Sequence, residues 1–136
     1  MSSKNTIPRF VVTEGDLGGI GPEILLHSLG SYSRALPFTP LILGHESLLA
    51  DIAQREGLNI NFVRVSGVEE WVHSQPLLAP HSFAILELKQ TISPSTLRGA
   101  PDAEFGAAAV EAVQVATKAC LNFDIDGMIT PPLNKE

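Results

Sequence analysis

Asn134 and Lys135 stand in a segment, Thr130-Pro131-Pro132-Leu133-Asn134-Lys135-Glu136, that directly follows a short apolar run, Gly127-Met128-Ile129. An ammonium at such a place can bind a phosphate or a carboxylate, or polarise an alcohol oxygen, and the Asn134 carboxamide can orient a hydroxyl. Nearer the N-terminus, Gly15-Asp16-Leu17-Gly18-Gly19-Ile20-Gly21-Pro22-Glu23 follows Phe10-Val11-Val12-Thr13. A turn this poor in side chains lets a ligand approach backbone N–H groups at a helix N-terminus, and Asp16 could accept a hydrogen bond from a ribose or substrate hydroxyl. Both segments also have a plainer reading. The first can be a tight βα turn whose glycines take positive φ and whose Asp16 caps backbone N–H groups. The second can be a solvated lysine in a proline-stiffened loop. In an open α/β sheet, ligands sit beyond the carboxyl ends of the strands, where both segments are expected.

Other chemistries find little support. Gly-x-Gly-x-x-Gly cannot be laid over Gly15, Gly18, Gly19 and Gly21 in any register, and there is no Gly-Lys-Ser/Thr phosphate loop. His27, His45, His73 and His81 show no metal-ligand spacing and read as surface or helix-end residues. Glu69-Glu70 reads as a solvated pair and Cys120 as a small core residue. Neither Gly-x-Ser-x-Gly nor a pair of carboxylates falling in one site is found.

The elements that must position these loops follow from the apolar pattern. Residues 10–13 read as a short buried strand, and Pro22 opens a helix through Ile24, Leu25, Leu26 and Leu29 that Gly30 can stop. Residues 41–43 form a second strand, and residues 46–56 a helix with Leu48, Leu49 and Ile52 on one face. Residues 60–65 alternate as a third strand, residues 68–73 suggest a short helical turn, and residues 83–88 form a fourth strand. A loop rich in Ser, Thr, Pro and Gly spans 90–101. The longest helix is expected over 103–121 with Asp102 as N-cap and a narrow polar side of Glu104, Glu111, Gln114 and Lys118. Its Ala- and Val-rich interior predicts burial on most sides. Residues 127–130 give a fifth strand. The order points to one α/β domain over 1–136, a three-layer sandwich with a mainly parallel sheet.

Composition sets the boundaries of this reading. The chain has 136 residues, 44% of them apolar, enough for a real core. Charged residues make up 18%, against about 25% in ordinary soluble domains, which hints at an interface or a missing partner segment. A net charge of −6 with no Lys/Arg run argues against nucleic-acid binding. One cysteine excludes an intrachain disulfide and makes a reducing compartment the default. No apolar run approaches the roughly 20 residues of a membrane span. The expectation is a cytoplasmic protein with no membrane and no nucleic-acid partner.

Taken together, Gly15-Asp16-x-x-Gly19-Ile20-Gly21-Pro22-Glu23, the Gly106-Ala107-Ala108 segment, and Asp126-Gly127-Met128-Ile129-Thr130-x-Pro132-Leu133-Asn134-Lys135-Glu136 resemble three successive signatures of the 4-hydroxythreonine-4-phosphate dehydrogenase family of pyridoxal phosphate biosynthesis. The Gly-Ile-Gly-Pro-Glu core is shared with isocitrate and isopropylmalate dehydrogenases, whose fold is implied in incomplete form. Leu17-Gly18 stands where the family usually has Pro-Ala, which is expected to loosen the first turn.

The resemblance covers the whole chain but less than half of a family member. It implies the N-terminal portion of a longer two-domain enzyme, a homodimer, that uses NAD or NADP and a divalent metal (Zn, Mg or Co). That enzyme would oxidise and decarboxylate 4-phosphooxy-threonine, a small anionic substrate. Asn134 and Lys135 are then expected to line the substrate cleft, and Gly15, Asp16, Gly19, Ile20 and Gly21 to form a turn beside the cofactor. The family's His-Thr substrate pair and its three metal-binding histidines are not matched here, so no catalytic or metal-ligating residue is assigned and the 136-residue piece is expected to be inactive. Two alternatives stand: a dihydrodiol dehydrogenase of aromatic acid breakdown on the same fold, or a non-catalytic α/β ligand-binding module. A downstream His-Thr and three spaced histidines in the reading frame would favour an enzyme.

Overall fold

The computed structural model describes residues 7–31, 36–74, 80–93, 102–123 and 125–131. Nine elements alternate along the chain: β1 (Arg9–Thr13), α1 (Gly21–Gly30), β2 (Thr39–Gly44), α2 (Glu46–Arg55), β3 (Asn61–Val65), α3 (Val68–Ser74), β4 (Ser82–Glu87), α4 (Ala103–Asn122) and β5 (Gly127–Ile129). The strands form one five-stranded sheet in the order β3-β4-β2-β1-β5, and every pairing is parallel. Val11 lies opposite Leu41 and Met128, and Leu41 opposite Ala84.

Strand side chains alternate between two apolar layers, which explains why the central strands read as continuous apolar runs. Val12, Ile42 and Ile85 face Leu25, Leu26 and Leu29 of α1 and Leu49, Ile52 and Ala53 of α2. Val11, Leu41, Leu43 and Ala84 face Trp71 of α3 and Ala112, Ala116 and Ala119 of α4. Helices thus cover both faces, and the chain is a three-layer α/β sandwich with a parallel sheet. The helical turn expected at 68–73 is α3, held at its start by Glu70, which accepts hydrogen bonds from the backbone N–H and the hydroxyl of Ser66 at 2.6 Å.

The long helix differs from expectation in its burial. Asp102 caps it as anticipated, accepting a hydrogen bond from Glu104 N–H at 2.7 Å. Only the stripe Phe105, Ala108, Ala112, Ala116, Ala119 is buried, however. Val110 is 57% and Leu121 79% exposed. An Ala-rich composition reports how little side chain there is to hide, not how many sides are covered, so a single face suffices to dock the helix on the sheet. Cys120 is half-buried beside that face, and burial raises its thiol pKa. Among the described residues, no helix is long and apolar enough to cross a membrane.

Candidate functional site

A parallel sheet brings all its strand exits to one edge. Glu14, Gly15 and Asp16 leave β1 there, Gly44 and His45 close β2, residues 88–93 leave β4, and Thr130 and Pro131 leave β5. The two loops singled out in the sequence meet at this edge. Gly15 has φ of 81°, and a Cβ built on it would lie 3.1 Å from Pro131 Cβ and 3.2 Å from Gly21 Cα. Asp16 is buried, and its Oδ1 accepts a hydrogen bond from Gly18 N–H at 2.9 Å, while its carbonyl accepts one from Gly19 N–H at 3.0 Å. A Cβ on Gly21 would lie 3.2 Å from Asp16 N and Glu14 O. Gly15 and Gly21 therefore let the turn fold tightly on itself. A Cβ on Gly19 would meet nothing closer than 3.8 Å, Gly19 is exposed and Ile20 is 64% exposed, so the accessible rim of the turn is at these two residues. Asn134 and Lys135 lie outside the described residues.

Leu17 fastens the turn rather than loosening it. Its side chain is fully buried with Phe105 and Ala108 of α4, with Leu48 and Ile92 packed alongside.

Beside this turn opens a crevice of about 610 Å³, lined by His45, Ser47 and Asp51 on one side and Lys89, Thr91 and Phe105 on the other. Its place follows from topology. β2 and β4 are neighbours, yet α2, which follows β2, packs on one face of the sheet while α4, which follows β4, packs on the other. Chains leaving adjacent strands toward opposite faces must part, and the gap between them is where open α/β sheets bind ligands. No local sequence pattern marked this place, because it arises from strands that are not consecutive.

Across the crevice edge runs a buried polar chain that sequence reading missed. Glu14 is fully buried. Its Oε1 accepts the backbone N–H of His45 at 2.8 Å, and its Oε2 lies 2.6 Å from His45 Nδ1. The other ring nitrogen, Nε2, lies 2.7 Å from the carbonyl oxygen of Gln90. Burial works against protonation of His45, but the hydrogen bond and charge of Glu14, the Gln90 carbonyl and the charge of Glu87 outweigh it and raise the pKa from 6.5 to about 9. The expectation of a surface or helix-end histidine thus holds for position, since His45 is the N-cap of α2, and fails for exposure. His27, His73 and His81 are exposed.

The loop leaving β4 is gripped from α4 as well. Glu111 accepts the backbone N–H groups of Lys89 and Gln90 at 2.7 and 2.8 Å, and Glu104 accepts the N–H and hydroxyl of Ser93 at 2.8 and 2.7 Å. Heptad spacing puts both glutamates on one helical side, and that side faces the loop. Thr13 Oγ1, just before Glu14, is buried with no hydrogen-bond partner among the described residues. No group of three His, Cys, Asp or Glu among the described residues could hold a metal ion.

Comparison with known proteins gives the arrangement a lineage. The family model described as pyridoxal phosphate biosynthetic protein PdxA matches residues 37–136. A Cutibacterium acnes protein provisionally named D-threonate 4-phosphate dehydrogenase is 29% identical over 95% of this chain and 36% of its own length. The 4-hydroxythreonine-4-phosphate dehydrogenase of Geobacter metallireducens is 28% identical over 97% of this chain and 38% of its own. A crystal structure of a 4-hydroxythreonine-4-phosphate dehydrogenase from Burkholderia phymatum superposes with a TM-score of 0.83 at 26% identity, covering 96% of this chain and 38% of that one. The chain therefore spans little more than a third of the length of these relatives. With a family match running from the start of β2 to beyond β5, and the whole sheet shared with a solved relative, the chain belongs to the PdxA family.

Proposed function

We propose that the chain is the N-terminal portion of a longer NAD(P)-dependent, metal-assisted dehydrogenase that oxidises and decarboxylates 4-phosphooxy-threonine in pyridoxal phosphate biosynthesis. The observation that carries this is the meeting of the two signature loops, Gly15 against Pro131, at the ligand-bearing edge of a parallel sheet. Relatives named for 4-hydroxythreonine 4-phosphate and for D-threonate 4-phosphate support a small phosphorylated substrate.

In this reading Gly15, Asp16 and Gly21 hold the first turn in shape, and its open rim at Gly19 and Ile20 borders the nicotinamide cofactor. Both rim residues are exposed, which suits such a neighbour. When bound, the nicotinamide accepts the hydride. Asn134 and Lys135 line the substrate cleft, the lysine as a point charge for phosphate or carboxylate. The described residues do not fit a divalent metal, so none of them is given a role toward one.

The test is NAD(P)H formation with 4-phosphooxy-threonine, and in parallel with D-threonate 4-phosphate, by a longer protein containing this chain and by the 136-residue chain alone. The longer protein should turn over one of the two and the chain alone neither. In the longer protein Lys135→Ala should lower kcat/KM by about 10- to 100-fold with little change in melting temperature. Failure of the longer protein on both substrates, or unchanged kinetics in that variant, would overturn the reading.

A further inference from the structure

The Glu14–His45 pair has no part in the dehydrogenase reading, yet it is the most deeply buried ionisable pair among the described residues. Its geometry constrains its protons. A carbonyl oxygen only accepts, so Nε2, 2.7 Å from Gln90 O, must carry a hydrogen. Glu14 takes the His45 backbone N–H on Oε1, and its carboxyl beside the ring favours the imidazolium, which places the proton at the 2.6 Å contact on Nδ1. The doubly protonated ring donates to two acceptors at once, one at the exit of β1 and one at the exit of β4. A neutral ring has a single N–H and can hold only one of them.

We propose that Glu14 and His45 form a proton-held latch that ties the loop of residues 88–93 to the exit of β1 and fixes one wall of the crevice between β2 and β4. His45 is a positioning residue in this role, acting through the Gln90 carbonyl. The charged groups around it come from every packed element. Glu14 follows β1, and Glu87 ends β4. Glu87 accepts the Glu46 N–H at 3.0 Å and an Arg64 hydrogen bond at 3.2 Å, while Glu46 of α2 pairs with the same arginine of β3. Asp51 of α2 lines the crevice and pairs with Arg55 at 3.3 Å, Lys89 stands on the loop itself, and Glu111 of α4 holds the loop amides from the far side. Negative charge therefore dominates around the imidazole, in keeping with its pKa of about 9. The inference is independent of which substrate the enzyme takes.

Two substitutions separate the two halves of the latch. Asn places its amide near the position of Nδ1, so His45→Asn keeps the Glu14 contact and drops Gln90. Gln reaches the position of Nε2, so His45→Gln keeps Gln90 and drops Glu14. The experiment is NMR on the ¹⁵N-labelled chain, reading the imidazole nitrogens and the amide exchange of residues 89–93 against the amides of β1 and β2, corrected for intrinsic rates. Both ring nitrogens should be protonated at neutral pH. In His45→Asn the loop amides should exchange about tenfold faster, the loss of one charge-assisted hydrogen bond, with the strand amides unchanged. In His45→Gln loop protection should be largely kept. Should either variant fail to fold, raising the pH of the wild-type chain through about 9 reads the same release without a substitution. An unprotonated ring nitrogen at neutral pH, or a loop whose exchange ignores both His45→Asn and the titration, would overturn the latch.

Discussion

A Cβ placed on Gly15 would sit 3.1 Å from the Cβ of Pro131, a spacing that only a glycine leaves comfortable, and it joins the exits of β1 and β5. The same Cβ would lie 3.2 Å from the Gly21 backbone, and φ at Gly15 is 81°. Gly15→Ala therefore adds a left-handed strain to two close contacts, one of them with backbone that cannot step aside. It should destabilise the chain by about 1–3 kcal/mol. Gly19→Ala, whose added Cβ would meet nothing closer than 3.8 Å, should change stability by less than about 0.5 kcal/mol. Chemical denaturation of the two variants checks this, and equal effects would show that the turn is not built on the Gly15–Pro131 contact.

Much of this architecture was legible because it is local. Val11-Val12-Thr13, Leu41-Ile42-Leu43 and Phe83-Ala84-Ile85-Leu86 are β-rich runs closed by turn or helix signals, and Asp102 before a long Ala-rich run marks a helix start. What escaped is non-local. Glu14 and His45 stand 31 residues apart and meet only because β1 and β2 are adjacent, in register, and end together. The available hint was a carboxylate immediately after a buried strand and a histidine immediately before a helix, which position alone does not join. The crevice is hidden for the same reason: it depends on β4 pairing with β2, a crossover that hydrophobic periodicity does not encode. The sidedness of α4 was lost because Ala, Val and Gly are uninformative about which face docks.

That sidedness gives the second prediction. Ala112 is 1% exposed against the sheet, while Val110, two residues earlier, is 57% exposed. A lysine at 112 carries an unpaired charge into an apolar layer, and Ala112→Lys should destabilise by several kcal/mol, on the order of 3 or more. Val110→Lys should be within about 0.5 kcal/mol of neutral. Denaturant melts that ranked the two variants the other way would invert the assigned face of the helix.

Gly44 supplies the third. A Cβ there would stand 2.6 Å from Glu14 Oε1 and 3.0 Å from Leu49 Cδ1. The carboxylate is the end of a flexible side chain, yet it is buried and fixed by two bonds to His45, so it cannot move aside without breaking the pair. Gly44→Ala should destabilise by about 1–3 kcal/mol and lower the pKa of His45 toward its ordinary value. A variant with a wild-type His45 titration would mean that Glu14 accommodates the methyl group without losing its partner.

The fourth prediction concerns pH and follows from the sign of the His45 shift. Its pKa is about 9 in the folded chain and returns to 6.5 on unfolding. Below about pH 6.5 both states carry the proton, and the pair's full contribution to stability is present. As pH rises beyond that, the unfolded chain releases its proton first, so folding must hold a proton that the unfolded state has already given up. Stability should fall by roughly 1.4 kcal/mol for each pH unit through this window, an amount on the order of 3 kcal/mol in all, and level off above about pH 9. Burial pushes the Cys120 thiol up, and other groups titrate too, so the quantity to follow is the difference between wild type and His45→Asn. That difference should be at its full size below about pH 6.5, shrink through the window and level off above about pH 9, because the variant has no ring to deprotonate. Melting curves that kept a constant gap between the two proteins across the whole window would show that the proton on His45 contributes nothing to holding the strand exits together.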